Sequence, residues 1–128
     1  MERKLGYEGD LTGRIIAAAI EVHREIGPGL LESAYEECIC RELATAGIKF
    51  ERQRELPVIY KGTLVRATYR LDLLVEGEVI VELKSVDAIL KVHEAQVLTY
   101  LRMSGLKVGL LINFNVPVLR DGIRRFVL

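Results

Sequence analysis

Apolar residues recur at three- and four-residue steps between Asp10 and Ile26, at Leu11, Ile15, Ala18, Ala19, Val22 and Ile26. That period puts them on one face of a helix, for which Asp10 or Thr12 supplies an N-cap. Gly27-Pro28-Gly29 ends it, because the residue before a proline is pushed out of helical backbone and glycine accepts left-handed turns. A second helix is predicted over Leu31 to Ala46. Its apolar positions Leu31, Tyr35, Cys38, Ile39 and Leu43 share one broad face, and Gly47 sits where a helix stop belongs. The two helices read as a hairpin.

Beyond Gly47 the pattern becomes extended. Phe50 to Tyr60 and Leu64 to Val75 are predicted strands joined by the turn Lys61-Gly62-Thr63, and Glu76-Gly77 marks a second turn. Val79 to Lys84 is short and rich in β-branched residues, as a central buried strand is. Ala88 to Met103 is helical by pattern. Lys107 to Asn113, with Val108, Leu110, Leu111 and Ile112, reads as a buried strand, and Ile123 to Leu128 as an edge strand beyond the loop Asn115 to Gly122. The order is ααβββαββ, an α/β chain with a mixed, mostly antiparallel sheet of four or five strands. With 128 residues, half of them apolar, and no repeat or linker, a single domain over residues 1–128 is the expectation.

Charge narrows the partners. Eighteen Lys and Arg balance eighteen Asp and Glu, so no global basic field attracts nucleic acid, and any such surface must be local. Arg52, Arg54, Arg66 and Arg70 on the first hairpin, and Arg120, Arg124 and Arg125 near the C-terminus, are the candidate stripes. Cys38 and Cys40 lie two apart on a helix, on different faces, which argues against a structural disulfide or zinc site. No apolar run is long enough to span a membrane, and Met1 to Asp10 lacks the apolar centre of a signal peptide. A reduced, cytoplasmic setting is expected.

The chemistry concentrates on the central strands. Side chains alternate along a strand, so Glu82 and Lys84 project together from Val79 to Lys84. Asp72 lies in an otherwise largely apolar stretch of the preceding strand, and the turn at Glu76-Gly77 brings it towards Glu82. Two carboxylates with a backbone carbonyl, that of Leu83, make a hard-oxygen site suited to magnesium or manganese. Phosphodiester hydrolysis uses such a set, with a nearby cation to offset charge in the transition state. D-x9-E-x-K by itself is more often the pattern of an interstrand salt bridge on a half-solvated sheet.

More of the chain bears on that choice. Gly29-Leu30-Leu31-Glu32-Ser33-Ala34-Tyr35 reads G-x-x-E-x-x-Y at the start of the second helix. Together with YRLDLLVEGEVIVELKSV and HEAQVLTYLRMSGLKVGLLINF it resembles the GxxExxY proteins of the PD-(D/E)xK nuclease superfamily, over residues 13–114. The resemblance implies a restriction-endonuclease-like αβββαβ core with an extra N-terminal helix. It matches Asp72 to the motif's D, Glu82 and Lys84 to its E-x-K, Glu32 to the additional acid of the first core helix, and Gln96 and Tyr100 to a Q-x-x-x-Y element. No proline precedes Asp72, a departure the superfamily tolerates. Glu32 and Tyr35, three apart, and Gln96 and Tyr100, four apart, are neighbours on their helix faces. For Tyr35 core packing with a satisfied hydroxyl is the stronger reading, and for His93, three before Gln96, a structural role.

The implied activity is a magnesium- or manganese-dependent nuclease acting on nucleic acid, DNA foremost. Asp72, Glu82 and the Leu83 carbonyl are its metal ligands, Glu32 is a further ligand or a water-mediated contact, and Lys84, Gln96 and Tyr100 complete the catalytic set. The rivals are a non-catalytic nucleic-acid-binding module that keeps the nuclease fold and a protein-interaction module, the latter favoured by the neutral charge. The superfamily also suggests a homodimer, with the apolar first helix as interface.

Overall fold

A computed structural model describes residues 10–128; the reading of Met1 to Gly9 as free of a signal peptide lies outside them. Helix α1 spans Leu11–Ile26, and Asp10 caps it by accepting from the Gly13 amide at 3.0 Å and the Thr12 hydroxyl at 2.8 Å. It stops at Gly27, whose φ of 67° is open to glycine at little cost. Helix α2 spans Glu32–Thr45, one residue shorter at each end than predicted. Leu31 is its extended N-cap and 76% exposed, so it leaves the apolar face that the periodicity assigned to it.

Strands β1, Phe50–Tyr60, β2, Thr63–Val75, and β3, Val79–Lys84, form the predicted meander. Tyr60 pairs with Thr63 across Lys61-Gly62, a two-residue loop with both φ angles positive, as the twist of a tight hairpin requires. A three-residue loop joins β2 and β3, with positive φ at Glu76 and Gly77 and the Glu78 amide donating to the Val75 carbonyl at 2.9 Å. Helix α3, Lys91–Ser104, starts three residues later than predicted, because the chain stays non-helical to Leu90. It carries the crossover to β4, Val108–Asn113, which runs parallel to β3. A 3-10 turn, Leu119–Gly122, leads into the antiparallel edge strand β5, Ile123–Val127.

Among the described residues the sheet has five strands in the order β1-β2-β3-β4-β5, with one parallel pair. The segment α2-β1-β2-β3-α3-β4 is the αβββαβ core of restriction-endonuclease-like folds, with α1 before it and β5 after. Helices α1 and α2 cover one face of the sheet through Ile15, Ala19, Val22, Tyr35, Ile39 and Leu43, packed on Leu73, Val81, Leu83 and Ile112. Helix α3 covers the other through Val97, Tyr100 and Leu101, against Leu71, Leu74, Ile80 and Leu111. Since α1 buries its apolar face in the core, only Ile20 and Ile26 among its large apolar residues remain exposed for the interface suggested from the sequence. No helix among the described residues is long and apolar enough to cross a membrane.

Candidate active site at a fork between strands

The pairing of β2 with β3 runs from Val75–Val79 to Leu73–Val81 and stops there. The next residues out are Asp72 and Glu82, and side chains replace the ladder. The Asp72 amide donates to Glu82 Oε2 at 2.9 Å, and the Leu83 amide donates to Asp72 Oδ2 at 2.8 Å. Each carboxylate thus holds the other's strand, and the sheet forks around the pair. A strand residue presents its N–H and C=O to the same neighbour, so the Leu83 carbonyl opens into the same fork.

Alternation along β2 slips at this point. Leu73 and Val75 pack under α1 and α2, whereas Leu71 and Leu74 both pack under α3. Strict alternation would have sent Leu71 the other way, so the direction of Asp72 does not follow from counting twos.

Burial makes the pair electrostatically uneasy. Glu82 is 4% exposed, and desolvation, followed by the charge of Asp72, pushes its carboxyl up to about 8. Asp72 is raised as well, chiefly by burial, against the Leu83 amide that favours its charged form. Glu32 approaches from α2: burial raises its carboxyl, Asp72 raises it further, and Lys84 opposes both. The G-x-x-E-x-x-Y segment explains that approach. The Tyr35 hydroxyl donates to the Gly27 carbonyl at 2.6 Å and accepts from the Leu30 amide at 3.2 Å, while its ring stacks on Phe114 with centroids 4.3 Å apart. Ser85 then ties the Leu30 carbonyl to the end of β3 at 2.6 Å. Tyr35 is thus a core residue that fixes the loop leading into Glu32 at the start of α2.

Helix α3 closes the opposite side. Gln96 and Lys84 line one cleft with Tyr69, Val92, His93 and Thr99. Tyr100 is buried, hydrogen-bonded with Gln96, and its hydroxyl is pushed up to about 12 by burial and then by the charges of Glu82 and Asp72. His93 accepts the Leu90 amide on Nδ1 at 3.0 Å and so caps α3, in line with the structural reading. Asp72, Glu82, Lys84, Glu32, Gln96 and Tyr100 therefore converge on one region, reached from both faces of the sheet.

Three contributors were not singled out from the sequence. Glu36, one turn after Glu32, is buried and accepts from Arg52 at 3.1 Å and from the Gln53 amide at 2.9 Å; the i, i+4 spacing of two acids was its signal. Gln53 carried none. Asn113, 1% exposed, bonds both the amide and the carbonyl of Val86, at 3.0 and 2.9 Å, and so secures the chain just past Lys84. Half of the basic stripe on the first hairpin is neutralised, since Arg52 pairs with Glu36 and Glu37 and Arg54 with Glu51.

Among the described residues no group of three or more His, Cys, Asp or Glu side chains stands at metal-holding spacing, so the expected cluster of three acids reduces to Asp72 and Glu82. That pair still fits a hard divalent ion. Two carboxylates raised by burial, Glu82 further by the charge of Asp72 and Asp72 by that of Glu36, are relieved by a cation, and magnesium characteristically takes one or two protein carboxylates, with water and phosphate for the rest.

A mixed five-stranded sheet with helices on both faces, opened around an acidic pair beside an E-x-K lysine, defines a nuclease-like protein. The family model of the PD-(D/E)XK nuclease superfamily matches residues 9–126. The chain belongs to that superfamily. No curated protein and no solved structure matches it.

Proposed function

We propose that this protein is a divalent-metal-dependent nuclease of the GxxExxY kind that hydrolyses phosphodiester bonds in nucleic acid, DNA foremost. The observation that carries the reading is the reciprocal locking of Asp72 and Glu82 at the end of the β2–β3 ladder, with Lys84 beside them. Asp72, Glu82 and the Leu83 carbonyl hold the ion, and Glu32 acts on it through water from α2. When bound, magnesium or manganese supplies Lewis acidity towards the phosphate and lowers the pKa of water. Lys84 places a positive charge where negative charge grows in the transition state, which is where a fixed charge accelerates most. Gln96 and Tyr100 orient Lys84 and the phosphate from α3. Free thiols at Cys38 and Cys40 fit a reduced, cytoplasmic setting.

Plasmid DNA, single-stranded DNA and RNA incubated with manganese and either wild type or Lys84→Ala test the reading. Wild type cuts at least one of them and the variant does not. A second reading, a binding module that cuts nothing, draws on the zero net charge and on the pairing of Arg52 and Arg54 with acids. It takes over when wild type leaves every substrate intact.

A further inference from the structure

Among the described residues three other than glycine have positive φ: Gln53 at 51°, Lys61 at 50° and Glu76 at 52°. Lys61 and Glu76 sit in the two hairpin turns, whose geometry demands it. Gln53 sits inside β1. Residues on either side of it pair regularly with β2, Arg52 with Leu73 and Arg54 with Leu71, so its position on the ladder is opposite Asp72. A side chain other than glycine held in left-handed backbone within a strand persists only where its surroundings fix it, and such sites cluster around function.

The surroundings here are explicit. The Gln53 amide donates to Glu36 Oε1 at 2.9 Å, and the other oxygen of that buried carboxylate accepts from Arg52 Nε at 3.1 Å and pairs with its Nη2 at 3.0 Å. Arg52 also reaches Glu37 at 2.8 Å, so α2 grips β1 at two successive residues. The same Gln53 side chain lies opposite Asp72 on the ladder and favours the charged form of its carboxylate, the least of the influences on it. One side chain, carried on an unusual backbone, thus stands between a clamped carboxylate on α2 and the acid at the fork.

From this arrangement we infer that Gln53 is a positioning residue, aiming the Asp72 carboxylate at the cation through the Glu36–Arg52 clamp. The inference builds on the nuclease reading and adds to it the residue that orients its aspartate. A carboxylate whose outer partner is lost typically binds metal ten- to a hundredfold more weakly. Asparagine tolerates left-handed backbone but is one methylene shorter, so it cannot span Glu36 and Asp72 together. Glutamate keeps the reach and loses the donor.

The test measures manganese affinity by calorimetry and turnover against manganese concentration, for wild type, Gln53→Asn, Gln53→Glu and Arg52→Ala. Both Gln53 variants should bind manganese at least tenfold more weakly and regain most of their turnover at saturating manganese, which Asp72→Asn does not. Arg52→Ala, which loosens the clamp but keeps the amide, should lower the melting temperature with a smaller change in metal affinity. Wild-type affinity in both Gln53 variants overturns the inference, as does a loss of turnover that manganese cannot restore. A wild type that neither binds manganese nor cuts overturns the nuclease reading itself, and the positioning role falls with it.

Discussion

Replacing Glu82 by glutamine preserves the shape of the fork and an oxygen to accept the Asp72 amide, but removes the charge. Glu82 binds its proton more tightly in the folded chain, at about 8, than at its ordinary 4.5. The stability it contributes is therefore complete below pH 4.5 and is lost as the pH rises towards 8, because ionisation has to happen in a buried site beside Asp72. Integrating that difference, the loss is about 1 kcal/mol at pH 5 and about 3 kcal/mol at pH 7. Glutamine has no such dependence, so without metal Glu82→Gln should be the more stable protein at neutral pH. For a chain of this length the gap is roughly 10 °C in melting temperature at pH 7 and only a few degrees at pH 5. Thermal melts in chelator at the two pH values measure it. Manganese should close the gap, raising the wild type by about 3 kcal/mol at a hundredfold excess over Kd and leaving the variant unmoved. A variant destabilised equally at both pH values, or a gap that does not widen with pH, would refute the reasoning.

Three further outcomes follow from the same geometry. Lys84→Ala should keep the fold and the metal affinity while turnover falls by at least a hundredfold, measured by plasmid nicking under saturating manganese. Gln96→Ala and Tyr100→Phe should each lower cleavage about ten- to a hundredfold with a smaller effect on metal binding, since both act from α3 behind the acids. Tyr35→Phe deletes the hydroxyl that joins the Gly27 carbonyl to the Leu30 amide; denaturant unfolding should show a loss of about 1–3 kcal/mol, and activity should fall only as far as Glu32 is displaced.

The central strands were the most legible part of the sequence. Val79 to Lys84 was bounded correctly because a β-branched run between a turn and a polar break has little else to be, and Glu82 and Lys84 share a side by simple alternation. Asp72 could be named but not aimed, because Leu71 and Leu74 both pack under α3, a break in alternation that the residue types of β2 do not signal. The start of α3 was misplaced for a similar reason: Ala88 and Ile89 continue a helical pattern, yet the helix begins only after Leu90, where His93 caps it. Leu31 looked like a core position because it falls in phase with Tyr35, but it precedes the first helical turn. Gln53 left no trace in the pattern. Positive φ is usually signalled by glycine or asparagine, and here tertiary hydrogen bonds impose it on a residue with no such preference.

Titrating manganese into the wild type and into Asp72→Asn by calorimetry at pH 6 and pH 8 tests the account at its centre. The wild type should bind at one principal site, more tightly at pH 8 than at pH 6, because below about 8 the ion must displace a proton from Glu82. Asp72→Asn should lose that site at both pH values. Equal affinity in the two proteins, or no binding by the wild type, would contradict the assignment of the fork as a metal-dependent catalytic centre.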